Sequence, residues 1–171
     1  MTTAQQIQWT TVFDKTREIC EEDENFSNYS VREKMMAFIF TFLQKLQENE
    51  TQFSGQLHEN RLPFINNRFL QELKTYFNSY TSNLLLEGTN SGEIQARPFI
   101  ASYYPSLLWN AFLSILYFWS NDKSDNKENT DVMVEKTVHF AFDMLAPNPI
   151  DSGIDLVQHF IKLRKTDAGT R

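Results

Sequence analysis

The chain has 171 residues, with 16 Lys plus Arg against 22 Asp plus Glu and a formal net charge of −6. That length sets one domain with a sizeable core, and the charge has the wrong sign for a chain that must neutralise several phosphates, so direct nucleic-acid binding is not expected. Five Gly and five Pro beside 41% hydrophobic residues exclude collagenous, disordered and turn-dense all-β classes and leave an all-α globule.

The first periodic segment covers residues 3–22, where Ile7, Trp9, Val12, Phe13, Ile19 and Cys20 recur at helical spacing and predict an amphipathic helix. Ser30-Val-Arg-Glu33 is a capping box, in which the hydroxyl and the carboxylate satisfy each other's backbone amides, and it predicts a helix over 30–49. Met35, Met36, Phe38, Ile39, Phe40, Phe42, Leu43 and Leu46 make that helix apolar almost all round, as suits a central helix surrounded by others. A short polar piece over 48–59 follows. Pro63 then opens a helix that runs to about residue 86, with Leu62, Ile65, Phe69, Leu73, Tyr76, Tyr80 and Leu84 at steps of three and four, and with Gly88 and Gly92 breaking it.

Pro98 and Pro105 bracket a transition into a helix over 104–120 whose face is Leu107, Leu108, Ala111, Phe112, Ile115, Leu116 and Trp119. The polar run 121–131 reads as a loop in which Thr130 or Asp131 caps the next helix, over 130–146, with Val134, Val138, Ala141, Phe142 and Leu145 inward. Pro147 and Pro149 end it, and a last helix is expected over 151–164. The expectation is an antiparallel helical bundle of about six helices, without strands or repeats. The longest apolar stretch, 35–43, is far short of the roughly 18 residues of a membrane span, so none is expected. The lone cysteine, Cys20, cannot form an internal disulfide and fits a cytoplasmic protein.

Catalytic chemistry finds no support. Glu135 and His139 are four apart and occur once, whereas a bundle metal site needs paired Glu-x-x-His motifs. His58, His139 and His159 lie far apart and read as packing or surface residues, and Cys20 reads as a small core residue. Neither phosphate-binding glycine loops nor a nucleophile elbow occurs. No catalytic residue, metal or cofactor is therefore expected. The positive signal is aromatic: 15 Phe, six Tyr and three Trp. Rings with a polar handle, such as Tyr76, Tyr80, Tyr103 and Tyr104, suit a pocket for an apolar or amphipathic small molecule. The plainer reading is that they fill the core with their hydroxyls at the surface, and composition alone does not separate it from a pocket.

The run from Tyr29 through Ser-Val-Arg-Glu-Lys-Met-Met-Ala-Phe to Leu46 resembles the second helix of the C-terminal regulatory domain in TetR-type transcriptional regulators, particularly a Bacteroidetes-like subgroup. The stretch from Leu107 to Asp122, then Thr130-Asp131, Glu135-Lys136, Phe142-Asp-Met-Leu145 and Asn148-Pro-Ile-Asp-Ser152, resembles the closing helices of that subgroup in order and spacing. The resemblance spans roughly residues 9–163. It implies an effector-binding and dimerisation domain whose early helices enclose a small apolar or amphipathic ligand, with Trp9, Phe13, Phe38, Phe42, Phe69, Tyr76, Phe77, Tyr80 and Trp109 as pocket residues.

The helices over 104–120 and 130–146 carry apolar residues on more than one face, the second set being Leu113, Tyr117, Phe118, Met133, Phe140 and Met144. The resemblance implies that two late helices of each subunit form a four-helix interface, so this set is expected to pair two copies as a homodimer. TetR-type proteins carry a helix-turn-helix ahead of this region, and no recognition helix fits before the first helix here. The 171 residues are therefore expected to be one regulatory domain with no DNA-binding domain. Lys127 departs from the subgroup, which tends to place an aromatic residue there, and that leaves the packing of the loop open. The alternative is a lipid- or isoprenoid-binding accessory protein, similar to the lipid-binding module of ubiquinone biosynthesis, with the same general fold and no role in transcription.

Overall fold

A computed structural model describes residues 8–59 and 68–147 of the protein. Among them are six α-helices and no strand: α1 (Trp9–Glu22), α2 (Val31–Gln47), α3 (Glu50–Glu59), α4 (Arg68–Ser91), α5 (Tyr104–Asn121) and α6 (Glu128–Leu145). The helix expected over 151–164 and the start expected at Pro63 lie outside the described residues.

The capping box forms as the sequence predicts. Ser30 Oγ accepts from the Glu33 amide, the Glu33 carboxylate accepts from the Ser30 amide, and α2 starts at the next residue. Glu93 Oε2 takes the amide of Val31 at 3.1 Å, so the chain beyond α4 is pinned to the same helix start. α2 packs against all five other helices. Val31, Phe38, Phe42 and Leu46 are fully buried on it, each contributing about 1.5–3 kcal/mol of hydrophobic stabilisation. Lys34, also buried, reaches the Glu87 carboxylate on α4. In α1 the predicted face is inward for Trp9, Val12, Phe13 and Cys20, but Ile19 is turned outward and 40% exposed.

Three local readings need correction. The stretch 48–59 is not a polar connection: it contains α3, held by Phe53 and Leu57, one turn apart and both fully buried. Gly88 does not break α4, which continues to Ser91. A Cβ at Gly88 would stand 2.7 Å from Ile94 Cδ1 and 2.9 Å from Val31 Cγ2, so glycine here allows a close approach, while Gly92 with φ +82° ends the helix. Neither Thr130 nor Asp131 caps α6, because the helix already begins at Glu128.

What organises that corner is Asp122 at the end of α5. Its carboxylate accepts from the hydroxyl and amide of Thr130, at 2.6 and 2.9 Å, and from the hydroxyl and amide of Ser124, at 2.7 and 2.9 Å. Lys127, left-handed with φ 64°, lies over the Trp119 ring with Nζ 5.6 Å from its centroid. The same Nζ donates to the Asp122 carbonyl at 2.7 Å and pairs with Glu50 at 2.8 Å. The lysine stem and charge thus pack the loop whose packing the sequence left open.

Led by the Thr130 hydroxyl, these bonds hold the Asp122 carboxyl well below the usual carboxylate range, against the opposing effect of desolvation. A depressed folded-state pKa means the stabilisation is complete above the ordinary value of 3.8 and disappears as pH falls below it toward the folded pKa. Asp122→Asn should therefore lower Tm at pH 7, with the gap to the unmodified protein closing from about pH 4 downward. Thermal unfolding between pH 2 and 7 checks this, and a gap independent of pH would contradict it.

Candidate functional site

Eight of the nine rings proposed for a pocket lie among side chains the structure describes, Phe69 being outside them, and they form one connected cluster. Phe13 meets Phe38 at 4.8 Å and Phe42 at 6.1 Å between centroids, and Trp9 meets Phe42 at 6.3 Å. Phe42 contacts Phe112 at 5.4 Å, Phe112 stacks on Phe77 at 4.5 Å, and Phe77 meets Trp109 edge-on at 5.7 Å. Phe53 and Phe112, outside the proposed set, complete the packing, with Phe53 edge-on to Trp9 at 4.8 Å. Trp9 also donates to Gln56 Oε1 at 2.6 Å. These are core rings in mutual contact, at spacings typical of favourable aromatic pairs.

At the edge of the cluster, between α1 and α4, lies a half-open cleft of about 470 Å³, within the range of small-molecule sites. Phe13, Tyr76 and Tyr80 from the proposed set line it. The sequence reading did not include its other lining residues, Arg17, Glu21, Thr75, Ser79, Asn83 and Leu84. The lining follows three rows at steps of four: Phe13, Arg17 and Glu21 on α1, then Tyr76, Tyr80 and Leu84, and Thr75, Ser79 and Asn83, on α4. Residues four apart form ridges along a helix, and the cleft lies between such ridges of the two helices. The missed signal is a polar row beside an aromatic one, which marks the flank of a helix where its buried face meets solvent.

Tyr80 is the chemically distinctive member. Its ring stacks on Phe38 at 4.5 Å and meets Phe13 at 6.1 Å, and its buried hydroxyl has no hydrogen-bond partner among the described residues. Burial first, then neighbouring Cys20, Glu21 and Glu87, push its ionisation well above the ordinary tyrosine value, so the phenol stays neutral. Tyr76 is 41% exposed at the mouth. Arg17 Nε and Glu21 form a half-exposed pair at 3.5 Å on the rim. The Cys20 thiol is buried and contacts Thr41 Oγ1 at 3.9 Å, and burial raises its pKa, which disfavours a nucleophilic thiolate. No group of His, Cys, Asp and Glu suited to a metal ion occurs among the described residues.

The second proposed set divides. On α5 two rows are buried, Leu108, Phe112, Ile115 and Trp119 and, beside them, Trp109, Leu113, Leu116 and Ser120. Leu113 therefore belongs to the core of its own subunit. The row beside the two buried ones is Leu107, Ala111, Ser114 and Phe118, of which Leu107 and Ala111 are partly buried against the core, and α6 has a row of similar spacing in Met133, Thr137, Phe140 and Met144. Phe118, Phe140 and Met144 are exposed by 39%, 66% and 42%, whereas Tyr117 and Met133 are half-buried against the core. The two helices run antiparallel, since Asp122 joins one pair of ends while Gln95 N donates to Leu145 O near the other. The exposed apolar side chains of this α5/α6 strip are Phe118, Phe140 and Met144, and Phe99, Ile100 and Tyr103 are exposed in the segment before α5.

Compared with known proteins, the chain matches a family model described as "Tetracyclin repressor-like, C-terminal domain" over residues 34–160. No curated protein and no solved structure matches it. Among the described residues no helix is long and apolar enough to cross a membrane.

Proposed function

The chain belongs to the tetracyclin repressor-like C-terminal domain family, and from that premise we propose that it is the effector-binding and dimerisation part of a TetR-like transcriptional regulator. The observation that carries this reading is the α1/α4 cleft, lined by Phe13, Tyr76 and Tyr80, on a molecule that also leaves Phe118, Phe140 and Met144 exposed on α5 and α6. A small amphipathic molecule seated there contacts Phe13, Tyr76 and Tyr80, and the other proposed rings form the rigid backing. The strip of Phe118, Phe140 and Met144, with Tyr117 and Met133 at its margin, pairs two copies about a two-fold axis.

The two regions are mechanically connected. Tyr76 and Tyr80 flank Phe77 on α4, and Phe77 packs on Phe112 and Trp109 of α5. An effector that binds better when α1 and α4 are slightly separated favours one packing of α4 on α5, and so one arrangement of the dimer. The protein acts by binding, without catalysis, metal or cofactor, in the cytoplasm. It contacts nucleic acid only through whatever DNA-binding segment it works with.

The lipid-carrier reading has one observation in its favour: Phe99, 90% exposed and left-handed at φ 69°, beside exposed Ile100 and Tyr103, as suits a contact with membrane or an enzyme. Organic extraction of the purified protein with mass spectrometry, followed by hydrogen exchange with the extracted compound added back, separates the two. The effector reading expects a small amphipathic compound that protects α1 and α4. A long-chain isoprenoid or lipid whose addition protects other helices overturns it.

A further inference from the structure

We propose that residues 151–164 fold back as an amphipathic helix onto the patch of Phe99, Ile100 and Tyr103 and complete the domain at that end. The patch is strained as well as bare. Phe99 holds the left-handed φ of 69° and is 90% exposed, and a bulky residue keeps such a conformation only where surrounding contacts hold it there. Lys127, at φ 64°, has those contacts in Trp119, Asp122 and Glu50. The Phe99 ring is left in water by the described residues. Beside it the Tyr103 amide donates to the Ile100 carbonyl at 2.9 Å in a 3-10 turn, which sets those two exposed side chains on one side.

Proximity and sequence pattern identify the cover. The chain leaves α6 beside the patch: the Leu145 carbonyl accepts from the Gln95 amide at 2.9 Å, and the Ala146 carbonyl accepts from Arg97 Nη2 at 2.8 Å, just ahead of Phe99. Residues 147–150 can span up to about 13 Å, which brings residue 151 within reach of Phe99, and a helix over 151–164 would be about 21 Å long. In the sequence Ile154, Val157, Phe160 and Ile161 recur on one side of that helix, with Asp155, His159 and Lys162 on the other. Such an apolar face needs a cover of its own, and residues 98–105 carry no charge, so the two surfaces match in chemistry. The family match runs to residue 160, so most of the segment carries the pattern of the domain. An attached segment also meets the patch at an effective concentration on the order of millimolar, far above that of a second copy.

The test keeps the full chain, with the photoreactive p-benzoylphenylalanine in place of Phe99 and a mixture of isotope-labelled and unlabelled protein irradiated together. Crosslinks should join position 99 to residues 151–164 of the same chain, and Phe160→Ser should cut their yield about tenfold, as exposing one buried phenyl ring implies. Hydrogen exchange supplies a second readout. Phe99→Gly should speed exchange over 151–164 about tenfold or more while α1 to α6 keep their protection, because glycine suits φ 69° and the rest of the fold is not endangered. Adding vesicles of phosphatidylethanolamine and phosphatidylglycerol should leave both results as they were. Crosslinks running mainly between labelled and unlabelled chains would assign the patch to a second copy, and crosslinks passing to lipid would assign it to a membrane. Either of these, or exchange over 151–164 that Phe99→Gly does not change, overturns the proposal.

Discussion

Replacing Arg97 by Ala should destabilise the protein by about 3 kcal/mol or more, on the scale of 1.5–3 kcal/mol for a hydrogen bond from a charged group. Arg97 is 6% exposed in the segment between α4 and α5. Its guanidinium donates to the Met144 carbonyl at 2.8 Å, the Ala146 carbonyl at 2.8 Å and the Tyr104 hydroxyl at 3.0 Å. Tyr104 in turn donates to the Gln95 carbonyl at 2.8 Å. The last carbonyls of a helix have no partner within it, and a cation at that end also complements the helix dipole. Arg97 does both for α6 while fixing the turn into α5. Loss of the side chain strands the part-buried Met144 and Ala146 carbonyls and the buried Tyr104 oxygen together, so Tm should fall by roughly 6–12 °C for a domain of this size. Arg97→Lys should recover only part, since one ammonium cannot span the carbonyls that the planar fork reaches. Calorimetry on the three proteins measures it, and an unchanged Tm for the alanine variant would show that the knot carries no stability.

The other large effect is on assembly. Phe140→Glu should weaken self-association by at least a hundredfold, because a carboxylate at the centre of the α5/α6 strip would have to be desolvated without a partner. In the free subunit Phe140 is 66% exposed, so the same change should leave Tm of the monomer nearly unaltered, as surface substitutions do. Leu86→Glu is the control: Leu86 is 64% exposed on α4, a helix that contributes nothing to the proposed contact, and its replacement should leave association as it was.

Much of the fold was legible where a local rule and the tertiary packing agree. Ser30 and Glu33 cap α2 because their chemistry suffices, and the near-continuous apolar run behind them leads correctly to a helix touched by all five others. The hydrophobic period was weaker evidence where few residues carried it. α3 has two fully buried apolar anchors, Phe53 and Leu57, among Gln, Thr, Ser and Gly, and two residues do not make a visible period. Gly88 is a breaker by propensity, but the proximity of Ile94 and Val31 requires a residue without a side chain there. Thr130 has the chemistry of a cap, yet its hydroxyl donates to Asp122, a contact made across the corner that local sequence does not specify.

The candidate site was legible at the level of residue type more than of position. Sequence selected the inward rings, and the structure collects them into one cluster; which ring borders an opening depends on how α1 and α4 pack on each other, and that is set by the whole bundle. The apolar surplus on α5 shows the same limit. Leu113 and Phe118 are both outside the first apolar row, but α5 is flanked by α3, α4 and α6, so a second row is buried and Leu113 goes with it while Phe118 stays outside.

Sedimentation of the unmodified chain at micromolar concentration tests the regulator reading most directly, because the α5/α6 strip has a role there only as the contact between two copies. The account predicts a dimer that Phe140→Glu converts to a folded monomer and Leu86→Glu does not. A stable monomer for the unmodified protein, with the strip left in water, would contradict it.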